Sequence, residues 1–163
     1  MSTLVELEAA VGSVCDPEIR VLTIAELGVL RKVSLDDGRP TVTITPTYVG
    51  CPAMDVIRED IVDAARTAGF EDIAIVTVWS PAWTTDWLDD SARHKLAAAR
   101  IAPPQRRPAP ALLQIGAAPA NDVHCPLCGS NNTYEVSRFG STACKALWTC
   151  RTCAEPFDLV KAH

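Results

Sequence analysis

The sequence predicts an α+β protein in which a small two-layer α/β domain with a mixed sheet is followed by a C-terminal zinc ribbon. Helical and β-prone segments alternate across residues 1–100. Residues 101–121 are rich in proline and alanine, which indicates a linker. Two Cys-x-x-Cys pairs then fall within residues 122–163 and predict a metal-binding ribbon.

The first domain is predicted to begin with a helix and a β-hairpin. Apolar residues within 4–14 recur at spacings of three and four, as on one face of a helix. β-prone residues occupy 29–35 and 41–45, and the turn-forming sequence Asp-Asp-Gly lies between them.

A second helix, a strand and a last helix are predicted to complete this domain. Apolar residues from Met54 to Ala68 have helical spacing, with Pro52 in the first turn and Gly69 at the end. A β-branched strand follows at 73–79 and a helix at 87–99. This order is typical of helices packed on a mixed sheet.

Composition disfavours several classes of protein. The chain is 48% hydrophobic, so it can form a core, and its net charge of −5 argues against a nucleic-acid-binding protein. It has neither a cationic leader nor an apolar run of the ~20 residues that a membrane helix needs. We expect a cytoplasmic protein, in which clustered cysteines are more often metal ligands or reactive groups than disulfides.

The ribbon is predicted from Cys125, Cys128, Cys150 and Cys153, whose two pairs are separated by 21 residues. Four thiolates complete a tetrahedral shell around Zn²⁺, which is typical of a structural site. Metal binding would supply folding free energy that so short a segment lacks. An iron centre in the same cage stays open, because spacing alone does not separate the two metals. Four independent buried or redox cysteines are the third interpretation.

Two other residues near the ribbon need an interpretation. We expect His124 not to bind the metal, because four cysteines already complete the shell. Cys144 lies six residues before Cys150 on a predicted strand, too far along the chain to join that shell. It is either a half-buried small hydrophobe or a second functional thiol, which the adjacent Lys145 could help to ionise.

Cys51 lies at the predicted start of the second helix, after Gly50. Free backbone N–H groups and the positive end of the helix dipole favour a thiolate there, so Cys51 is a candidate nucleophile or metal ligand. The alternative is a buried thiol that fills space between helix and sheet. Four oxygen-bearing residues are either ligands near Cys51 or ordinary cap and turn residues: Asp16, Glu18, Thr45 and Thr47.

Several motifs carry a resemblance along nearly the whole chain. Those in the first domain resemble the small SufT-like domain of iron–sulfur assembly factors: Asp16-Pro17-Glu18-Ile19, Glu26-Leu27-Gly28-Val29, Thr45-Pro46-Thr47-Tyr48 and Gly50-Cys51-Pro52. Two further motifs, together with the ribbon, are similar to the PaaD family, also called PaaJ, of phenylacetate catabolism: Ser80–Trp87 and Phe139–Lys145.

The resemblance implies an accessory protein of aerobic phenylacetate degradation, a pathway for aromatic compounds. Such a protein assists assembly of the iron–sulfur or di-iron centre of the multicomponent phenylacetyl-CoA epoxidase and is not itself an enzyme. Its implied partners are the di-iron oxygenase or the flavin and [2Fe–2S] reductase, and its cargo is transient iron or a cluster. The family's reactive cysteine corresponds to Cys51 and its acidic motif to Asp16, with Cys144 as a third candidate for transfer.

Two other functions stay open. The chain could be a stoichiometric structural subunit of the epoxidase, or a zinc-ribbon nucleic-acid adaptor, which its acidic charge disfavours. The sequence contains no phosphate-binding glycine loop, no hydrolytic triad histidine and no Glu-x-x-His pair, so we expect no catalytic residues. It leaves open whether the protein forms a homodimer.

Overall fold

The computed structural model describes residues 3–105 and 123–163, and contacts divide the chain into two compact units. The first unit comprises Met1–Ala92 and His163, and the second comprises Arg93–Ala162. The second unit thus begins before the predicted domain boundary near residue 100. Most of the predicted linker, 101–121, lies outside the described residues, so its limits stay a prediction.

Among its described residues, the first unit contains a three-stranded sheet, two complete α-helices and a short 3₁₀ helix. Strand β2 (Arg39–Ile44) lies between β1 (Leu30–Asp36), to which it is antiparallel, and β3 (Ala74–Thr77), to which it is parallel. Helix α1 (Leu4–Gly12) contacts both α2 (Ala53–Thr67) and β1. The prediction of an α+β fold with a mixed sheet is confirmed.

Local sequence explains the hairpin and the end of α2. Asp37 and Gly38, between β1 and β2, have φ angles of 50° and 81°, as a two-residue hairpin turn requires. Gly69 has a φ of 87°, and the N–H of Phe70 donates to the carbonyl of Ala65, which closes the helix in a left-handed cap. The apolar face of α2 is buried along Ala53, Met54, Ile57, Ile61 and Ala65.

The last helix of the predicted first domain begins later than expected. A short 3₁₀ helix occupies Thr85–Trp87, and α3 runs from Asp90 to Ala98. Leu88 between them has an extended backbone, and the Asp89 carboxylate accepts a hydrogen bond from the Ala92 N–H at 2.7 Å. The side-chain cap therefore sets the start of α3.

Two of the resembling motifs contact each other inside the first unit. The indole N–H of buried Trp83 donates to the carbonyl of Leu27 at 2.7 Å. A Cβ added to Gly28, whose φ is 73°, would lie 3.2 Å from the ring of Trp87. The Arg31 guanidinium lies 4.1 Å from the centre of the same ring. The segment 80–87 thus closes over the loop that leads into β1.

The second unit is a four-stranded sheet in the order β4-β7-β6-β5. Its strands are β4 (Ile101–Ala102), β5 (Thr133–Ser137), β6 (Lys145–Cys150) and β7 (Pro156–Val160). β4 is parallel to β7, and the other pairs are antiparallel. The first two residues of the predicted linker therefore belong to this sheet. Its core consists of Ala102, Val123, Cys125, Ala146, Trp148, Cys150 and Phe157.

Within residues 3–105 and 123–163, no helix combines the length and apolar character needed to cross a membrane.

We predict that Gly28→Ala destabilises the protein more than Gly38→Ala. Both glycines have a left-handed backbone, which costs an L-residue ~1–2 kcal/mol. At Gly38 a Cβ meets nothing within 4 Å, whereas at Gly28 it presses on Trp87 and adds ~1 kcal/mol or more of overpacking. Urea denaturation of the full chain measures both losses in the free energy of unfolding, and equal losses would contradict the packing argument.

Candidate functional site

The four ribbon cysteines converge at one place in the second unit. All four sulfur atoms lie within 4.8 Å of one another. The Sγ atoms of Cys125 and Cys153 are 3.7 Å apart, and those of Cys128 and Cys150 are 3.6 Å apart. A tetrahedral metal with bonds of ~2.3 Å needs ~3.8 Å between sulfur atoms. The cluster could therefore hold one metal ion with little rearrangement.

Each Cys-x-x-Cys pair forms a turn that directs both of its sulfur atoms into the cluster. The residue after each pair, Gly129 or Ala154, has a left-handed backbone with a φ of 74° or 62°. In the first turn the Gly129 N–H donates to the carbonyl of Cys125, and in the second the Thr152 N–H points at the sulfur of Cys150. A hydroxyl contact of 2.8 Å between Ser130 and Thr152 joins the two turns.

Backbone hydrogen bonds, burial and the neighbouring thiols give three of these thiols different pKa values. The backbone N–H of Cys153 lowers the pKa of Cys150 to about 6. The N–H of Glu155 acts on Cys153 in the same direction, but burial and the neighbouring thiols raise that pKa to about 12. A hydrogen bond to the Ser130 backbone acts to lower the pKa of Cys128, but burial and the Cys150 thiol outweigh it, so that pKa is raised. A bound cation would have to displace protons from Cys128 and Cys153.

His124 and Cys144 both lie outside the sulfur cluster as the described residues form it. The exposed His124 has its Nδ1 atom 3.2 Å from the carbonyl oxygen of Gly129. Cys144 is 8% exposed in the turn before β6, with its sulfur 3.1 Å from the Thr142 hydroxyl. Cys144 belongs to the second unit and Cys51 to the first. Their grouping in one transfer site stays a prediction.

Cys51 lies in a tight turn immediately before α2. Its N–H donates to the carbonyl of Tyr48 at 3.3 Å, and its own carbonyl accepts from Met54 at 3.3 Å. Gly50 has a φ of 80°, which permits the turn, and Pro52 occupies the N-cap position. The thiol is half-buried. The predicted position at the mouth of the helix is confirmed.

Cys51 lines a cavity of about 180 Å³ together with an ion pair of Arg58 and Asp55. Arg58 lines this cavity, where its guanidinium donates to Asp55 at 2.8 Å and to the Thr77 hydroxyl at 3.1 Å. The indole of Trp79, 57% exposed, forms another wall. The two donated hydrogen bonds hold the guanidinium at the wall of the cavity. Asp55 lines the same cavity, so its carboxylate offsets the positive charge of Arg58 there.

A second cavity of about 200 Å³ adjoins the first and shares Trp79 as a wall. It is lined by the Tyr48 ring and by Trp83. His163, which clusters with the first unit, stacks on Tyr48 at 6.2 Å between ring centres and accepts a hydrogen bond on its carbonyl from Thr84. Aromatic rings thus surround the loop that carries Cys51.

Asp16 is buried, and its carboxylate accepts hydrogen bonds from nearby backbone N–H groups. Its Oδ1 atom accepts hydrogen bonds from the N–H groups of Glu18 and Ile19 at 2.8 and 2.7 Å. Neither Asp16 nor Glu18 is among the described residues that line the Cys51 cavity, whereas Thr45 and Thr47 line the adjoining one. These bonds favour the interpretation of Asp16 as a turn-capping residue.

Sequence reasoning missed Arg58, Trp79 and His163. For Arg58 a signal exists, because it follows Cys51 by seven residues, about two helical turns, and so lies on the same side of α2. Trp79 and His163 carry no comparable signal. Only the folded chain brings them to the loop 45–51.

Two family models match separate parts of the chain. Residues 5–77 match the model described as iron–sulfur cluster assembly protein. Residues 113–161 match the model of the PaaD zinc beta ribbon domain. The two matches fall in the two units, and they bear out the two resemblances drawn from the motifs.

The chain also resembles individual proteins. It is 42% identical over 156 residues to a protein of Escherichia coli strain K12 that is named as one of the subunits of 1,2-phenylacetyl-CoA epoxidase, covering 96% of this chain and 91% of that one. It is 35% identical over 89 residues to an Fe-S protein maturation auxiliary factor of Bacillus subtilis strain 168, covering 53% of this chain and 86% of that one.

Among solved structures, a domain of unknown function, DUF59, from Bacillus anthracis matches with a TM-score of 0.51 and 30% identity. The match covers 56% of this chain and 88% of that one. It agrees with the α+β fold with a mixed sheet. Because the similarity to the Escherichia coli protein extends over nearly the whole chain and both domain models match, this chain belongs to the PaaD family of phenylacetyl-CoA epoxidase subunits.

Proposed function

We propose that this protein is an accessory component of the multicomponent phenylacetyl-CoA epoxidase and assists assembly of one of its metal centres. The main support for this proposal is that one chain shows two separate similarities. One, to a protein named as part of the epoxidase, covers 96% of the chain, and the other, to an iron–sulfur maturation factor, covers 53%. The protein would act without catalysing the epoxidation, in the cytoplasm, in the degradation of phenylacetate.

We assign the transfer of iron or of a cluster to Cys51. A transfer ligand has to be reachable, and this half-buried thiol opens on a cavity instead of filling a closed shell. Arg58, held by Asp55 and Thr77 at the wall of the same cavity, would donate hydrogen bonds to a group bound at the thiol. Asp16 and Cys144 stay secondary candidates. The oxygenase or the reductase component would receive the metal.

We propose Zn²⁺ as the resident metal of the four-cysteine site. The match to a zinc beta ribbon model supports zinc over iron, and the sulfur spacing fits a tetrahedral ion. Four thiolates leave no position open for substrate. The metal would therefore stabilise the fold of the ribbon and take no part in transfer.

Zn²⁺ affinity should fall as pH is lowered. Binding displaces the protons that Cys128 and Cys153 hold at neutral pH because their pKa values are raised. Two displaced protons weaken binding by at least ~100-fold per pH unit. The fall should steepen below about pH 6, where Cys150 also becomes protonated. Competition with a chelator of known affinity at several pH values measures this, with Cys144→Ser as a variant that should keep its zinc. Affinity independent of pH would contradict the assignment.

Replacing Cys51 should leave the fold intact but yield poorly metallated epoxidase. We expect the epoxidase coexpressed with Cys51→Ala to contain less than about half of its normal iron, measured by elemental analysis of the purified enzyme. The matched control is Cys15→Ala, which removes an exposed thiol of the same unit. Full iron content and activity with Cys51→Ala would exclude the transfer role.

A structural role within the epoxidase complex is the second candidate function, favoured by the name of the Escherichia coli relative. A permanent component would stay with the oxygenase through gel filtration at a fixed ratio, whereas a maturation factor would separate from it. We expect separation. Co-elution at a fixed ratio, with normal iron content in the presence of Cys51→Ala, would favour the structural role.

A further inference from the structure

An exposed apolar surface follows the edge of the ribbon sheet. Among the described strands, β5 lies at one edge of this sheet. Val136 within β5 is 52% exposed, and Phe139 just after it is 75% exposed. Phe139 also lines a cavity, and Val136 is not among the described residues that line it. The exposed ring is therefore the candidate contact group of this edge. Neither residue is needed for the sulfur cluster, which is formed by the opposite ends of the strands and their turns.

The loop after β5 is held in one conformation. The Gly140 N–H donates to the carbonyl of Lys145, and a Cβ at Gly140 would lie 2.7 Å from an oxygen of Asp158. That carboxylate accepts a hydrogen bond from the Ser141 hydroxyl at 2.6 Å and lies 3.8 Å from the ammonium of Lys145, whose side chain is 7% exposed. These contacts fix the backbone of the loop that follows Phe139 before any partner binds. A fixed loop loses less conformational entropy on binding than a mobile one.

Cations flank the exposed ring. The Lys161 ammonium lies 5.3 Å from the centre of the Phe139 ring and donates to the carbonyl of Arg138 at 3.1 Å. The side chain of Arg138 is 87% exposed, and its Nε atom lies 3.9 Å from the carboxylate of Glu135. A cavity of about 460 Å³ lies at this surface, and its lining combines apolar groups with these charges: Glu135, Arg138, Phe139, Ala146, Leu159, Lys161 and Ala162.

We propose that this surface, residues 135–139 with Lys161, docks an acidic segment of an epoxidase component. An apolar side chain of that segment enters the cavity beside Phe139, and carboxylates on either side of it pair with Arg138 and Lys161. We call this surface the β5 face. The identity of the partner rests on the proposed function, whereas the chemistry of the segment follows from the β5 face itself.

Two features select this occupant over others. A β-bulge between Glu135 and Ser137 interrupts the regular pairing of β5, so the edge is poorly suited to accept an added strand. A partner would therefore contact this edge through side chains and not through backbone hydrogen bonds. Glu135 in the cavity lining and the net charge of −5 oppose a nucleic-acid backbone, whereas a peptide can place its carboxylates around one acidic group.

The test is the affinity of the full chain for the separately purified oxygenase and reductase components, measured by biolayer interferometry. Phe139→Ala and Lys161→Glu should each weaken binding to the same component by about tenfold or more. Lys161→Arg, which keeps the cation, should bind like wild type. Wild-type binding should also weaken as the salt concentration rises.

Matched controls lie in the first unit. Leu35→Ala changes an exposed apolar residue and Arg66→Glu an exposed cation, and neither should alter the affinity. Metal content of each variant shows that the ribbon is folded. Unchanged affinity for Phe139→Ala and Lys161→Glu overturns the proposal, as does a wild-type chain that binds neither component, or one that binds duplex DNA through the same residues.

Docking at the β5 face and metal transfer by Cys51 can be refuted independently of each other. If the wild-type chain binds neither component yet raises the iron content of the coexpressed epoxidase, the β5 face is refuted and the transfer role stands. If the β5 face variants lose affinity while Cys51→Ala leaves the iron content normal, docking stands and transfer fails.

Discussion

The second unit depends on the closeness of four sulfur atoms. Within 4.8 Å of one another, four thiolates repel too strongly to coexist without a cation between them. Against backbone hydrogen bonds that lower them, burial and the neighbouring thiols raise the pKa values of Cys128 and Cys153, so both thiols retain their protons when no cation is bound. Cys125 and Cys150 are also part of the hydrophobic core of this unit. A cation bound by these cysteines would therefore neutralise their thiolates and at the same time hold part of the hydrophobic core together.

The two kinds of cysteine in this chain suit different tasks. The ribbon cysteines form a closed cluster, in which every sulfur faces another. Cys51 instead faces a cavity that contains an anchored arginine and an exposed indole. A closed cluster of four cysteines suits a structural metal, whereas a single thiol that lines an open cavity permits exchange of a ligand. The β5 face would add a third task, recognition of a partner, at a place in the ribbon away from the four cysteines.

Much of the fold was predictable because its signals are local. The Asp-Gly turn, the Schellman end of α2 and the Cys-x-x-Cys turns each depend on a few consecutive residues. The predicted start of α3 was wrong because an Asp89 side-chain cap outweighs the helical spacing upstream. β4 was missed because a strand of two residues is too short to show an alternating hydrophobic pattern. Only its pairing with β7 makes it a strand.

The sequence by itself determined the two-part architecture, the two pairs of ribbon cysteines and the position of Cys51, since spacing along one segment is enough to place each of them. The tertiary structure decided what surrounds them. Arg58 reaches Thr77 across 19 residues, Trp83 reaches Leu27 across 56, and Lys145 meets Asp158 from the neighbouring strand. Contacts between distant segments leave no periodic trace in the chain, because they are selected by packing and charge once the segments have folded together.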